Sequence, residues 1–103
     1  MIKGLYHIIF ISFKKGTPNS IKKKIYCQYQ TLGVETGGRK AGILYWNIQQ
    51  NLDLRKNIQL IEFAVFKNEY ALERFKNHPK YIKLVENYVK KYCNWYRGNF
   101  ILK

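Results

Sequence analysis

The chain has 103 residues, which suits a single domain covering residues 1–103. Its 47% hydrophobic and 17% aromatic content is enough for a core and excludes a disordered chain, and no apolar stretch reaches the ~20 residues of a membrane span. Nineteen Lys and Arg against six Asp and Glu give a net charge of +13, so weak nucleic-acid binding through the basic surface is one candidate function.

The N-terminal residues lack the basic, apolar and small-residue order of a secretory signal, so we predict a cytoplasmic protein. Cys27 and Cys93 lie far apart without CxxC spacing, and two free thiols are the ordinary state of such residues in a reducing compartment. With only two histidines, no zinc pattern can be assembled. We therefore predict neither a metal site nor a cofactor.

The first predicted strand, residues 3–13, places a histidine in an apolar run. Side chains alternate between the two faces of a strand, so His7 shares a face with four apolar residues, Leu5, Ile9, Ile11 and Phe13. A histidine in an apolar layer stays neutral near pH 7 and can act as a general base, because burial disfavours its cationic form. The alternative is a core histidine with a structural hydrogen bond.

The second predicted element is a helix that starts after Gly16. Thr17 is a suitable N-cap, and Pro18 is compatible with the first helical turn. Four residues at helical spacing form one apolar stripe: Ile21, Ile25, Tyr29 and Leu32. We expect Gly33 to end the helix.

Two strands are predicted in the middle of the chain, over residues 41–48 and 57–66, joined by a polar loop over 49–56 with room for one helical turn. Glu62 is the only acidic residue within a predicted strand. It alternates with Leu60 and Ala64, so it faces either the cavity or a lysine at a dimer edge.

Two helices and a closing strand complete the predicted order. Asn68 is expected to cap a short helix that ends at Asn77-His78-Pro79, with His78 organising the turn or capping the next helix. The next helix has the strongest apolar periodicity, carried by Tyr81, Leu84, Val85, Tyr88, Val89 and Tyr92. Residues 95–102 form the predicted last strand.

The order β-α-β-β-α-α-β predicts an α+β fold of the ferredoxin-like, split βαβ type, with helices on one face of an antiparallel four-stranded sheet. The first strand also carries Tyr6, Ile8 and Phe10 on the face opposite His7. No further helices are available to cover that second apolar face. We therefore predict a homodimer formed through the sheet faces.

Two motifs resemble the Dabb family, the stress-responsive α/β-barrel domain. The first is His-Ile-Ile-Phe-x-x-Phe-Lys-x-Gly-Thr, which begins at His7, and the second is Phe-x-Asn-x-x-Ala-Leu-x-x-Phe-x-x-His-Pro, which begins at Phe66. The resemblance covers nearly the whole chain. It implies a dimeric α/β barrel in which two ferredoxin-like sheets face each other, and a family that includes a polyketide cyclase and a hydroxynitrile lyase.

The resemblance also implies site residues. His7 matches the first-strand histidine of the cyclase, and Tyr29 matches a tyrosine of the pocket wall, but Tyr81 stands where the cyclase has its second histidine. Phe75 replaces a family tyrosine, and Tyr45-Trp46 matches a pair on the second strand. We accordingly predict His7, Tyr29 and Tyr81 as catalytic residues, and four ligand-contacting residues: Ile9, Trp46, Phe75 and Leu84.

Three functions remain open at this point. The first is a cofactor-independent lyase or cyclase that uses acid–base chemistry on a small apolar or carbonyl-containing compound. The second is a non-catalytic dimer that binds a small ligand or a protein. The third is a weak nucleic-acid binder, which aromatic residues exposed on the sheet would favour. A closed core around His7 would count against catalysis.

Overall fold

The computed structural model describes residues 2–53 and 57–103. The elements of these residues, in chain order, are strand β1 (Gly4–Phe13), helix α1 (Asn19–Glu35), a 3-10 turn (Gly38–Ala41), strands β2 (Ile43–Gln50) and β3 (Leu60–Phe66), helices α2 (Glu69–Lys76) and α3 (Pro79–Leu84), a π-helical turn (Val85–Val89), helix α4 (Lys90–Tyr92) and strand β4 (Cys93–Leu102). The predicted order of strands and helices is confirmed.

Within the described residues, four strands form one antiparallel sheet in the order β2-β3-β1-β4. Strand β1 lies between β3 and β4, so Ile9 pairs with Glu62 on one side and with Arg97 on the other. His7 pairs with Ala64 and Asn99 in the neighbouring row. This topology confirms the predicted ferredoxin-like α+β fold.

The core lies between the helices and one face of the sheet. That face contains His7 together with Leu5, Ile9, Ile11 and Phe13, as the alternation of β1 predicts, and all five are buried. Ile25, Tyr29 and Leu32 of α1 pack onto it, as do Leu84 and Val89 from the C-terminal helical segment.

The predicted ends of α1 are wrong at both termini. The Thr17 hydroxyl does not cap the helix, because it donates to the carbonyl of Lys14 at 2.6 Å. Gly33 lies inside the helix, which continues to Glu35. The glycine is needed there for a different reason: a Cβ atom at Gly33 would lie 2.5 Å from Cγ of Trp46.

Other boundaries shift by a few residues. Strand β2 starts at Ile43 and not at Ala41, because residues 38–41 form the 3-10 turn, and it runs on to Gln50. Strand β3 starts at Leu60 and β4 at Cys93. The helical turn suggested for the 49–56 loop falls on a segment whose residues 54–56 lie outside the described residues.

The predicted caps of the second half are confirmed. Asn68 Oδ1 accepts a hydrogen bond from the amide of Ala71 at 2.9 Å. His78 Nδ1 accepts one from the amide of Lys80 at 3.1 Å, with Pro79 in the first turn of α3. His78 is therefore a helix-capping residue on the surface side of the fold.

The second sheet face carries no helix within the described residues, and it is largely aromatic. Tyr6 stacks on Phe100 with ring centroids 4.9 Å apart and meets the edge of Phe63 at 5.7 Å. Phe10, Tyr45, Tyr96 and Phe100 are exposed. We call this surface the outer sheet face, defined by residues 6, 8, 10, 45, 47, 49, 61, 63, 65, 96, 98 and 100.

In the part of the chain that the structure covers, no helix is long and apolar enough to cross a membrane. No group of three or more metal-ligating side chains occurs among those same residues. Cys27 is exposed and Cys93 is buried, and both are free thiols, as expected.

Candidate functional site

His7 is held at the centre of the helix-covered sheet face with 1% of its surface exposed. Its Nδ1 lies 2.6 Å from Oδ1 of Asn99, the residue opposite it on β4. Because an amide oxygen only accepts hydrogen bonds, Nδ1 carries the proton and donates, which leaves the lone pair on Nε2. The ring edge also contacts Phe66, with centroids 5.9 Å apart.

Glu62 is the chemical partner of His7. Its side chain is fully buried, and Oε2 lies 3.4 Å from Nε2 of His7. Neither carboxyl oxygen of Glu62 makes a hydrogen bond with any residue that the structure describes. A buried carboxyl group without a hydrogen bond is costly, so it calls for an explanation other than stability. The alternative of a lysine at the dimer edge is wrong, because the helix-covered face holds this side chain.

Burial sets the protonation states of the pair. Desolvation raises the pKa of Glu62 to about 8, and the charge of Arg97 opposes this only in part. Desolvation lowers the pKa of His7 below 6.5, and the hydrogen bond to Asn99 counteracts it. At pH 7 the pair is therefore a neutral imidazole beside a neutral carboxylic acid.

Tyr29 and Tyr81 line one cavity next to this pair. The cavity has a volume of about 20 Å³ and is bordered by Ile9, Tyr29, Tyr81, Val85, Val89, Trp95 and Arg97. Burial raises the pKa of both tyrosines, so both remain neutral hydrogen-bond donors. A volume of this size holds about one water molecule.

The catalytic residues predicted from the sequence are only partly brought together. Tyr29 and Tyr81 share the cavity, whereas His7 lies one sheet row away, behind Ile9, and does not line it. Tyr81, Val85 and Val89 form the helical wall of the cavity, and they belong to α3 and the π-helical turn.

The predicted ligand-contacting residues have different positions. Ile9 lines the cavity, but Trp46, Phe75 and Leu84 do not. Phe75 is the centre of an aromatic cluster, with ring centroids 5.4 Å from Trp46 and 4.8 Å from Tyr81. Trp46 donates through Nε1 to the carbonyl of Tyr29 at 2.8 Å. Phe75 and Trp46 therefore contact the two tyrosines of the cavity without lining the cavity themselves.

Several residues of the site were not predicted. Asn99, Arg97 and Trp95 lie on β4 with period-two spacing, a pattern that places all three on one face of the last predicted strand. That pattern was the available signal. It could not show that Asn99 lies opposite His7, because the two are separated by 92 residues along the chain.

Comparisons with known proteins agree with this architecture. The family described as "Stress responsive A/B Barrel Domain", Dabb, matches residues 5–97. No curated protein gave a significant match to the sequence.

Solved structures give the same fold at low identity. A dimeric ferredoxin-like protein of unknown function from Thermobifida fusca superposes with a TM-score of 0.80 at 13% identity, covering 97% of this chain and 92% of that one. A Dabb family protein from Mesorhizobium loti superposes with a TM-score of 0.77 at 11% identity, with 96% of both chains covered. A hydroxynitrile lyase from Passiflora edulis superposes with a TM-score of 0.77 at 14% identity, covering 96% of this chain and 93% of that one.

Proposed function

The chain belongs to the Dabb family of stress-responsive α/β-barrel domains, and we propose that it is a cofactor-independent acid–base enzyme, a lyase or cyclase, for a small carbonyl compound. The observation that carries the proposal is the His7–Glu62 pair: a neutral imidazole 3.4 Å from a fully buried carboxyl group that lacks hydrogen bonds to the described residues. Paired titratable groups with shifted pKa values are characteristic of active sites.

In this mechanism His7 is the base. The lone pair of Nε2 takes a proton from the carbon next to the carbonyl group, or from a hydroxyl group in the lyase direction. In proton abstraction from carbon, the electron pair of the broken C–H bond moves to the carbonyl oxygen, and protonated His7 later returns the proton. In the lyase direction the alkoxide electron pair forms the C=O bond, the carbon–carbon bond breaks with its electron pair on the leaving carbon, and protonated His7 gives the proton to that leaving group. The hydroxyl groups of Tyr29 and Tyr81 donate hydrogen bonds to the oxygen on which negative charge develops. Asn99 keeps Nδ1 protonated and so leaves the basic lone pair on Nε2, the nitrogen that faces Glu62.

Substrate entry requires the cavity to enlarge, because 20 Å³ holds about one water molecule. The proposal assigns this movement to the wall of Tyr81, Val85 and Val89, because it contains a π-helical turn, an irregularity that recurs at functional sites. Outward movement of this wall extends the cavity along the sheet toward His7 and Glu62.

Proton exchange in D₂O tests the proposal with a panel of simple carbonyl compounds. The protein is incubated with small ketones and aldehydes, loss of the α-proton signals is followed by NMR, and cleavage of an aromatic hydroxynitrile is followed by absorbance. We expect His7→Gln to abolish any exchange or cleavage found. His78→Asn is the matched control, because asparagine also caps helices and His78 lies outside the site. Activity that persists in His7→Gln would contradict the proposal.

A second candidate, a non-catalytic binding dimer, is favoured by the small cavity and by the 1% exposure of His7. Thermal and urea unfolding of His7→Gln separates the two candidates. Glutamine keeps polar atoms and a similar volume, so if His7 is functional its replacement should lower the free energy of unfolding by less than ~1 kcal/mol. A loss of roughly 1–3 kcal/mol would indicate a structural histidine and the second candidate.

The proposed assembly is a homodimer that buries the outer sheet face. The paired positions of that face carry no Lys or Arg among the described residues, so its aromatic rings lack the adjacent phosphate-binding cations that nucleic-acid binding needs. An uncharged, aromatic surface fits a second copy of itself. The two free thiols suit a reducing compartment such as the cytoplasm.

A further inference from the structure

Arg97 is an exposed cation at the border of the cavity, and the proposed acid–base chemistry does not use it. It projects from β4 on the helix-covered face, next to Ile9, and lines the cavity together with Tyr29 and Tyr81. Its guanidinium group forms no hydrogen bond or ion pair with any residue that the structure describes. The N–H donors of this guanidinium group are therefore available to a ligand.

No ionised acidic side chain on the helix-covered face of the described sheet compensates the charge of Arg97 at pH 7. Glu62, two strands away across Ile9, is the only acidic side chain on the helix-covered face of the described sheet. Burial raises the pKa of Glu62 to about 8, so this carboxyl group is neutral at pH 7. A guanidinium group in this situation attracts an anion, and its planar fork matches a carboxylate with two parallel hydrogen bonds.

We propose that Arg97 binds the carboxylate of the substrate at the border of the cavity, so that the compound turned over at His7 is a small oxo acid. This inference rests on the proposed acid–base function. His7 and Arg97 are diagonal neighbours on adjacent strands, because Arg97 pairs with Ile9 and His7 with Asn99, and such neighbours lie about 7–8 Å apart. A compound that spans the two is expected to carry its carboxylate a few carbons from the reacting carbon.

The probes are levulinate, a ketone with its carboxylate at this spacing, and its neutral methyl ester. The α-proton exchange of both in D₂O is measured with wild type, Arg97→Gln, Arg97→Lys and His7→Gln. Arg39→Gln is the control, since it removes an exposed arginine of the 3-10 turn away from the cavity.

We expect wild type to prefer levulinate over the ester by about tenfold in kcat/KM, the discrimination that one charge-assisted hydrogen bond supplies. Arg97→Gln should remove this preference, because it lowers kcat/KM for levulinate more than for the ester. Arg97→Lys should retain part of it, and Arg39→Gln all of it. Equal rates for the two probes in wild type, or an equal effect of Arg97→Gln on both, would overturn the inference.

Failure of the proposed chemistry is recognised separately. His7→Gln abolishes exchange of both probes if His7 is the base, whatever Arg97 does. If neither probe exchanges, the acid–base proposal fails, and binding of levulinate is measured by saturation-transfer NMR. Binding to wild type that Arg97→Gln weakens about tenfold supports the carboxylate site. No binding, or binding that is independent of Arg97, overturns it.

Discussion

Replacing Glu62 by glutamine should change how the free energy of unfolding depends on pH. In the folded chain burial raises the pKa of Glu62 from 4.5 to about 8. Between pH 4.5 and about pH 8, Glu62 therefore holds a proton in the folded state that it has lost in the unfolded state. The free energy of unfolding contributed by this group therefore falls as pH rises, by about 1.36 kcal/mol for each pH unit.

His7 acts with the opposite sign. Burial lowers its pKa below 6.5, so below that pH the unfolded state holds a proton that the folded state lacks, and stability falls as pH falls. Below pH 6.5 the two slopes oppose each other, down to the lowered pKa of His7. From pH 6.5 to 8 the slope of Glu62 remains alone, and 1.5 units at 1.36 kcal/mol give a loss of about 2 kcal/mol. The folded pair holds one proton in this range, whichever residue carries it.

The assay is urea unfolding followed by tryptophan fluorescence at pH 5, 6.5 and 8, at one protein concentration because a dimer makes stability concentration-dependent. We expect wild type to lose about 2 kcal/mol between pH 6.5 and pH 8. Glu62→Gln should lose nothing above pH 6.5 and should lose stability toward pH 5. The exposed Glu73→Gln should keep the wild-type profile. A wild-type profile that is flat to pH 8, or that Glu62→Gln reproduces, would refute the reasoning.

Light scattering at micromolar concentration should give twice the mass of the chain, and Tyr96→Lys on the outer sheet face should shift the protein toward monomer; a well-folded wild-type monomer would exclude the sheet-face dimer. Gly33→Ala should lower the free energy of unfolding by about 1–3 kcal/mol, because its Cβ meets Trp46, whereas Cys27→Ala on the exposed side of the same helix should not. Binding to random duplex DNA should be weak and fade between about 50 and 200 mM salt, and tight sequence-selective binding at the higher salt would revive the nucleic-acid hypothesis.

The face of each strand was predictable because it depends on alternation alone. The position of His7 among buried apolar residues follows from the sequence of β1 by itself. The caps Asn68 and His78 were predictable for a similar reason, since each acts on an amide two or three residues away. Local chemistry determines these features.

Features that depend on tertiary contacts were not predictable. Gly33 has the local pattern of a helix end, but the bulk of Trp46 decides its role, and α1 continues beyond it. Asn99 and Glu62 meet His7 through the registers of β4 and β3, and a single sequence carries no signal for register across such separations. The π-helical turn is also invisible in the periodicity, which is that of one regular helix.

The uncharged outer sheet face has a consequence for how the protein responds to ionic strength. Two chains that each carry a net charge of +13 repel each other as they approach. Because the paired positions of the outer sheet face carry no charged side chains, contact between two such faces adds no further repulsion at short range. Dissolved salt screens the long-range repulsion but leaves apolar burial nearly untouched. Self-association should therefore strengthen as salt is added, while attachment to polyanions weakens.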